Sequence, residues 1–355
     1  MRSSLLPLAA LLGSSLLLST TAQAQGVDRA SYRVRFDATW SNATHPGAYP
    51  ANAHFSPLVG GTHSDAIELW APGGIATPGI ELMAETGGTS SLLQEVNAAI
   101  SSGDAGQTIT GGGAGSPGFA QATFEITSEH PLVSLVTMIA PSPDWFIGVH
   151  GLELFANGQW QDDLVIELFA YDAGTDSGPN FNSGNADTQP QEPIHLITEG
   201  PFTGATPLGT FTFTRLWSTL GTGCGINPEG SLEHLSGEPR LGQTVGLGLH
   251  APASDFSAPA LSILGLSAQP APGFPCGLSV PTWSLSNAGG PGELLLGSNI
   301  VLQPAPIWVG SQVSTDVSIP NSASLVGVAA YLQGFLVESG GRIGATEGLE
   351  LLIGS

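Results

Sequence analysis

Alternation of apolar and polar residues marks three segments of this chain as β-strands. In residues 31–40 every second position is apolar, from Tyr32 to Trp40, and the positions between them are charged or polar. Residues 121–127 and 210–217 show the same alternation. Because successive side chains of a strand point to opposite faces, a period of two predicts strands with one face buried and the other in solvent.

Three predominantly apolar runs, residues 132–139, 146–155 and 164–171, also predict strands. The first two flank an acidic, proline-bearing loop that contains Asp144, and the third is followed directly by Asp172. Loops that leave strands are the usual place for binding residues on a β-scaffold.

One helix is predicted in the first half of the chain. Ser91 followed by Gln94 is a capping-box pattern, and we expect the helix to end near Gly103. Its apolar residues fall on one face: Leu92, Leu93, Val96, Ala99 and Ile100. We expect the glycine-rich residues 103–118 to form a flexible loop, and residues 172–193 to form a long polar connection.

The second half has a different texture, which predicts a second β-rich module over residues 218–355. Residues 218–230 are interpreted as a linker or the start of a new unit, and the proline-rich residues 269–275 as an interior loop or a hinge. Short apolar runs separated by Gly, Pro and Asn predict its strands, at residues 244–249, 261–266, 298–303, 325–337 and 348–353.

The N-terminal segment predicts that the protein is exported, and the composition limits its partners. Residues 1–24 have the positive charge, the apolar stretch and the Ala22-Gln23-Ala24 ending of a secretory signal peptide, and no later segment is apolar enough to predict a membrane span. The chain has no lysine and a formal net charge of −22. Such a surface repels phosphate backbones and anionic lipids, so we expect no nucleic-acid partner and no membrane insertion.

Three carboxylates are the candidate metal ligands: Asp144, Asp172 and Asp176. Calcium takes six to eight oxygen ligands and tolerates irregular loops, so aspartates four residues apart in a glycine-bearing turn, together with one from a neighbouring loop, suit it. The alternative is that these aspartates only cap turns through their own backbone. Both interpretations are compatible with the pattern.

Cys224 and Cys276, the only cysteines, predict one disulfide in an exported protein. Catalytic signatures are weak. Asp176-Ser177-Gly178 has the form of an aspartic-protease triplet, but such enzymes need a second copy and the chain has none. No G-x-S-x-G is present. His45, His54 and His63 are spaced nine residues apart, which raises the alternative of a metal site, but zinc sites usually contain a closely spaced pair and none is present here. These histidines are therefore interpreted as structural, with His45 and His54 hydrogen bonded to backbone in loops.

Residues 31–217 closely resemble the spondin domain, a module of secreted animal and bacterial proteins. The matching stretches occur in order along the chain and include YRVRFDATWSNATHPGAYP (32–50), HFSPLVGGTH (54–63), HPLVSLVTMIAPSPDWFIGV (130–149) and YDAGTDSG (171–178). The resemblance implies an all-β fold, an antiparallel β-sandwich with one calcium ion in the loops at one end. It also implies that Asp144, Asp172 and Asp176 are the calcium ligands.

The chain departs from the animal pattern in its cysteines. Phe155 stands where animal members commonly carry a cysteine, and residues 25–217 contain none, so the family's disulfides are absent from this domain. Residues 218–355 fall outside the resemblance.

The sequence therefore predicts a signal peptide (1–24), a spondin domain of the bacterial secreted type (25–217) and a β-rich module of unknown role (218–355). The expected function is non-catalytic, calcium-dependent recognition or adhesion outside the cell, with an extracellular protein or glycan as partner. Two alternatives are a hydrolase of extracellular polymers and a structural cell-surface component.

Overall fold

The computed structural model describes residues 27–220, 226–252, 256–273 and 276–355. The predicted signal peptide and Cys224 lie outside these residues, so the signal peptide and the Cys224–Cys276 disulfide stay predictions. Within the described ranges, no helix has the length and apolar character needed to cross a membrane.

The first half is built almost entirely of antiparallel strands, which confirms the predicted all-β class. Its strands are β1 (Arg29–Ala38), β2 (His54–Phe55), β3 (Val59–His63), β4 (Ala105–Thr110), β5 (Ala114–Gly115), β6 (Gly118–Thr127), β7 (Leu132–Ala140), β8 (Trp145–Glu153), β9 (Phe155–Ala156), β10 (Gln159–Trp160), β11 (Asp163–Leu168), β12 (Tyr171–Asp172), β13 (His195–Leu196) and β14 (Gly209–Leu220).

Two sheets sandwich the core of this half. The first sheet places β1 between β6 and β14, with β11 on the far side of β14. The second has the order β13-β12-β8-β7-β2-β5, and β3 joins β4 to β7. The buried side chains of the core come from both sheets and include Tyr32, Phe36, Phe55, Phe124, Val133, Ile147, Phe211 and Phe213.

The alternating strands are confirmed. In β1 the alternate apolar residues from Tyr32 to Ala38 are 0–4% exposed, and Phe36 lies opposite Phe211 of β14 in register. The Phe36 ring meets that of Phe55, from the other sheet, edge to face at 4.8 Å between centroids. Such aromatic pairs stabilise a core beyond the area that they bury.

The helical region contains two helices where the sequence predicted one. Helix α1 (Pro78–Thr86) was missed, and α2 (Ser90–Ser102) has Thr89 as its N-cap, so the predicted Ser91 capping box is wrong. The predicted end is confirmed, because Gly103 caps α2 in the left-handed conformation. The two helices are joined by Glu95, whose carboxylate accepts hydrogen bonds from the Thr77 hydroxyl (2.7 Å) and the Gly79 amide (2.7 Å).

Two further segments differ from the prediction. Residues 103–118 are not only a flexible loop, because they contain β4 and β5. The apolar run 164–171 is not one strand: β11 pairs with β14 in the first sheet, whereas β12 pairs with β8 in the second. The chain therefore crosses from one sheet to the other at residues 169–170, and this crossing sets Asp172 beside Trp145.

The second half is also β-rich, as predicted. Its elements are β15 (Leu232–Ser236), β16 (Thr244–Leu249), β17 (Ala260–Ser267), β18 (Leu278–Val280), β19 (Gly292–Leu294), β20 (Val301–Trp308), β21 (Val313–Ser318), a 3₁₀ turn (Ala323–Leu325), β22 (Ala329–Glu338) and β23 (Ile343–Leu352). Its main cores are separate from that of the sandwich.

The two halves share one sheet. Strand β14 continues past the predicted boundary at residue 217, and Trp217 to Leu220 pair with β23 in antiparallel register. The first sheet thus extends through β23 to β22, β17 and finally β20. The second half is therefore not connected to the sandwich by a linker alone.

Candidate functional site

The three candidate aspartates meet at one end of the sandwich, where loops leave the second sheet. Asp144 ends the β7–β8 loop, and the loop is folded back by Ser142, whose hydroxyl accepts a hydrogen bond from the Trp145 amide at 3.1 Å. The pairing of β8 with β12 places Asp172 directly opposite Trp145. The geometry therefore brings the two loops together, as the sequence predicted.

Asp172 is held at the start of the long polar connection. Its Oδ2 accepts a hydrogen bond from the Trp145 indole nitrogen at 3.2 Å, and its Oδ1 accepts one from the Gly174 amide at 2.8 Å. Asp176 is fixed in the same way, since its Oδ1 accepts from the Gly178 amide (2.7 Å) and its Oδ2 from the Ala186 amide (3.0 Å).

Asp144 is the most enclosed of the three, with 0% of its surface exposed. Its Oδ2 accepts hydrogen bonds from the amides of Thr175 (2.8 Å) and Asp176 (3.1 Å). Its Oδ1 is buried and has no hydrogen-bond partner among the described residues. A buried polar atom without a partner costs free energy.

The electrostatic environment at this end of the sandwich favours a positively charged ligand. The pKa of Asp144 is raised to about 7, first because burial removes water from the carboxylate and then because Asp172 and Asp176 carry like charge. The two backbone N–H groups on Oδ2 oppose this rise. A bound cation would relieve the repulsion among the three carboxylates.

Gly174 makes the turn between Asp172 and Asp176 possible. Its φ is +73°, and a Cβ at this position would lie 2.1 Å from the backbone oxygen of Glu192. Only glycine combines a positive φ with so close a backbone approach. The Glu192 amide donates to the Gly174 oxygen at 2.9 Å, which ties the turn to the end of the polar connection.

A cavity of about 600 Å³ opens beside the aspartates. Its wall includes Trp145, Asp172, Asp176, Glu192 and Glu199. No arginine lines it, and each of the six arginines in the described ranges is in an ion pair. The cavity is therefore anionic, which suits neutral or positively charged groups of a ligand.

Sequence reasoning missed the contribution of α1. Glu85 of this helix lies close to Thr175, and burial and the charges of Glu81, Asp176 and Asp187 raise its pKa above the ordinary value, although Thr175 lowers it. Thr175, 0% exposed, also sets its hydroxyl 3.4 Å from Asp144 Oδ2. Glu85 could have been found only by predicting α1, whose Thr77-Pro78 start is itself a capping signal.

The aspartates fit a hard cation in the chemistry of their donors, because every donor is oxygen. Five of their six oxygens already accept a hydrogen bond, and only Asp144 Oδ1 does not. Over the described ranges, no group of three or more His, Cys, Asp or Glu side chains could hold a metal ion as it stands. Each bonded carboxylate oxygen keeps a second lone pair for an ion.

The other candidates have structural roles. His45 Nε2 lies 3.3 Å from the Thr206 oxygen and His54 Nδ1 lies 2.7 Å from the Asn52 oxygen, which confirms the predicted backbone hydrogen bonds. Trp40 and Trp145 are buried in the sandwich core.

Comparison with known proteins gives one family. The model of the Spondin_N family matches residues 30–208. Spondin-2 of Rattus norvegicus is 34% identical over 194 residues, which are 53% of this chain and 58% of that protein. Spondin-1 of Homo sapiens is 35% identical over 179 residues, which are 48% of this chain and 22% of that protein. The chain thus spans less than two thirds of each of these relatives.

Proposed function

Because the chain belongs to the Spondin_N family, we propose that its first half is a secreted, non-catalytic recognition and adhesion domain that binds calcium. Asp144, Asp172 and Asp176 would hold the ion. Bound calcium supplies positive charge that cancels their repulsion and fixes the two loops beside the cavity. The supporting observation is Asp144 Oδ1, a buried oxygen without a partner among the described residues.

Affinity is expected in the range of extracellular calcium modules, with a dissociation constant of about 10⁻⁴–10⁻³ M. At ten times that concentration the ion would stabilise the fold by about 1.4 kcal/mol. For the mature chain this corresponds to a rise of the melting temperature of about 2 °C. Magnesium, which demands a smaller octahedral shell, is expected to give a smaller rise.

The test is thermal unfolding of the mature chain in calcium, in magnesium and in EDTA. Asp172→Asn keeps the size of the side chain but removes its charge and one of its two carboxylate oxygens, so it should sharply reduce the calcium-dependent rise. Asp65→Asn, at an exposed aspartate away from the site, is the matched control and should keep it. Equal melting temperatures in calcium and EDTA for the unaltered chain would contradict the calcium site.

The ligand is proposed to be an extracellular protein or glycan that enters the anionic cavity. A glycan array and a pull-down from extracellular matrix, each run with calcium and with EDTA, test this. Binding that requires calcium and is lost in Asp172→Asn supports recognition by this end of the sandwich. Binding that is indifferent to both changes would place the recognition surface elsewhere on the molecule.

A further inference from the structure

In the part of the chain that the structure describes, three ion pairs join the two halves. Arg33 Nη1 of β1 lies 2.9 Å from Glu238, and Arg215 Nη1 of β14 lies 2.8 Å from Glu350 of β23. Arg215, 5% exposed, also contacts Asp162 at 2.6 Å. The first half thus supplies arginines and the second half supplies glutamates, on either side of the shared β14–β23 ladder.

One place in this junction is poorly satisfied. Glu347 of β23 is 1% exposed, and its Oε1 lies 3.7 Å from Arg29 Nη2 and 3.4 Å from the Leu232 amide. Three buried atoms here have no hydrogen-bond partner in the part of the chain that the structure describes: Glu347 Oε2, Arg29 Nε and Asp28 Oδ1. Arg29 therefore forms an ion pair with Glu347 at 3.7 Å, while Glu347 Oε2 and Arg29 Nε make no hydrogen bond among the described residues.

We propose that this cluster is a proton-operated latch, in which protonation of Glu347 and Asp28 tightens the contact between the two halves and deprotonation loosens it. This cluster suits a proton and not a metal ion, because Arg29 already faces Glu347 and would repel a metal ion. A protonated carboxyl also carries an O–H donor, which an enclosed carboxylate without partners lacks.

The charged groups that face the latch come from three elements. Arg29, next to Asp28 at the start of β1, lowers the pKa of Glu347, and Glu229 of the loop before β15 raises it. Glu229 also raises the pKa of Asp28. On β23 itself, Glu350 is neutralised by Arg215. The amides of Gly230, in this loop, and of Leu232, at the start of β15, favour the charged form of Glu347.

The sign of the pH dependence follows from burial. Desolvation is the largest cause of both shifts and raises the pKa of Glu347 to about 7 and that of Asp28 to about 6. The unfolded chain takes up these protons only near pH 4, so the folded state holds more protons between about pH 4 and pH 7. Stability at the junction therefore rises as the pH falls through this window.

The test compares the unfolding of the mature chain at pH 8 and pH 5.5 in EDTA, which keeps it independent of the proposed calcium site. Glu347→Gln mimics the protonated carboxyl, so we expect a melting temperature about 3 °C or more above that of the unaltered chain at pH 8. The gap should narrow at pH 5.5, where the folded carboxyl is protonated but the unfolded one is still mostly ionised. Asp28→Asn should show the same behaviour with a smaller shift. Glu167→Gln, at an exposed glutamate of β11, is the control and should follow the unaltered chain at both pH values.

A local measurement separates the latch from a general effect on stability. Hydrogen-exchange protection of the β23 amides that pair with β14, at residues 348–351, should fall from pH 5.5 to pH 8 after correction for intrinsic exchange. In Glu347→Gln this loss should be reduced. The same pH dependence of melting and protection in Glu347→Gln, Asp28→Asn and the unaltered chain would overturn the proposal. If Glu347→Gln does not fold, Asp28→Asn decides by the same criterion.

Discussion

Asp144 at the loop end of the sandwich and Glu347 at the junction between the two halves are alike in burial and in the direction of their pKa, but their neighbours differ in charge. Both are at most 1% exposed, and burial raises the pKa of each to about 7. Asp144 faces two further carboxylates, whereas Glu347 faces Arg29. The same desolvation is therefore compatible with a metal cation at the proposed calcium site and with a proton at the proposed latch.

The surroundings also differ in openness. The aspartates border a cavity of about 600 Å³, through which an ion and a ligand can enter. Glu347 lies on β23, between β14 and β22, and Arg29 and the start of β15 contact its buried carboxylate. The role of a buried carboxylate therefore has to be inferred from the charge of its neighbours and from its access to solvent. Burial and pKa alone do not distinguish Asp144 from Glu347.

The largest effect is expected at the junction from Arg215→Ala. Removal of this buried guanidinium leaves Glu350 without its partner, and the expected loss is about 3 kcal/mol of unfolding free energy. Urea denaturation measures it. Arg240→Ala, which breaks an exposed 3.7 Å pair with Glu238, is the control and should cost no more than about 1 kcal/mol. Equal losses in the two variants would show that the junction pair contributes no more than a surface pair.

At the aspartate end, Gly174→Ala should cost about 2 kcal/mol, because a Cβ would meet the Glu192 oxygen and the backbone has a positive φ. The turn that positions Asp172 and Asp176 would be distorted, so the calcium-dependent rise in melting temperature should fall as well. The control is Gly184→Ala in the same polar connection, where a Cβ would have nothing within 4 Å. A calcium response as large as that of the unaltered chain would contradict a role for this turn.

Most strands were predictable because their signal is local. The period of two in β1 and the apolar runs of β7 and β8 specify buried faces whatever their partners are, and these faces are buried in the structure. The candidate site was predicted for a similar reason, since Asp144 and Asp172 follow or precede strands that pair with each other.

What could not be predicted depends on distant residues. Helix α1 begins with Pro78-Gly79, a turn signal when taken alone, and it is stabilised by Glu95 of the next helix. The latch joins Asp28 and Arg29 to Glu347, more than 300 positions away in sequence. The local sequence does not predict that Glu347 is buried, because glutamates are ordinarily exposed.

Asp144→Asn is expected to remove calcium binding at the aspartate end without lowering the stability of the calcium-free protein. In EDTA at pH 8 the neutral amide removes a charge that Asp172 and Asp176 repel, and its oxygen still accepts from the Thr175 amide. We therefore expect the variant to be at least as stable as the unaltered chain without calcium, and to gain none of the ~1.4 kcal/mol that calcium supplies at ten times its dissociation constant. Calorimetric titration with calcium checks the loss of binding.

The smallest effect is expected from Thr175→Val, which keeps the volume of a fully buried side chain and removes its hydroxyl. The hydroxyl donates a hydrogen bond to Asp144 Oδ2 at 3.4 Å, so its loss should cost about 1 kcal/mol. All three aspartates and the Thr175 amide remain, and the rise in melting temperature on adding calcium should therefore be unchanged. If that rise disappears while the fold is intact, Thr175 belongs with the ion's ligands, and the aspartate end would differ from the junction in using a hydroxyl as well as carboxylates.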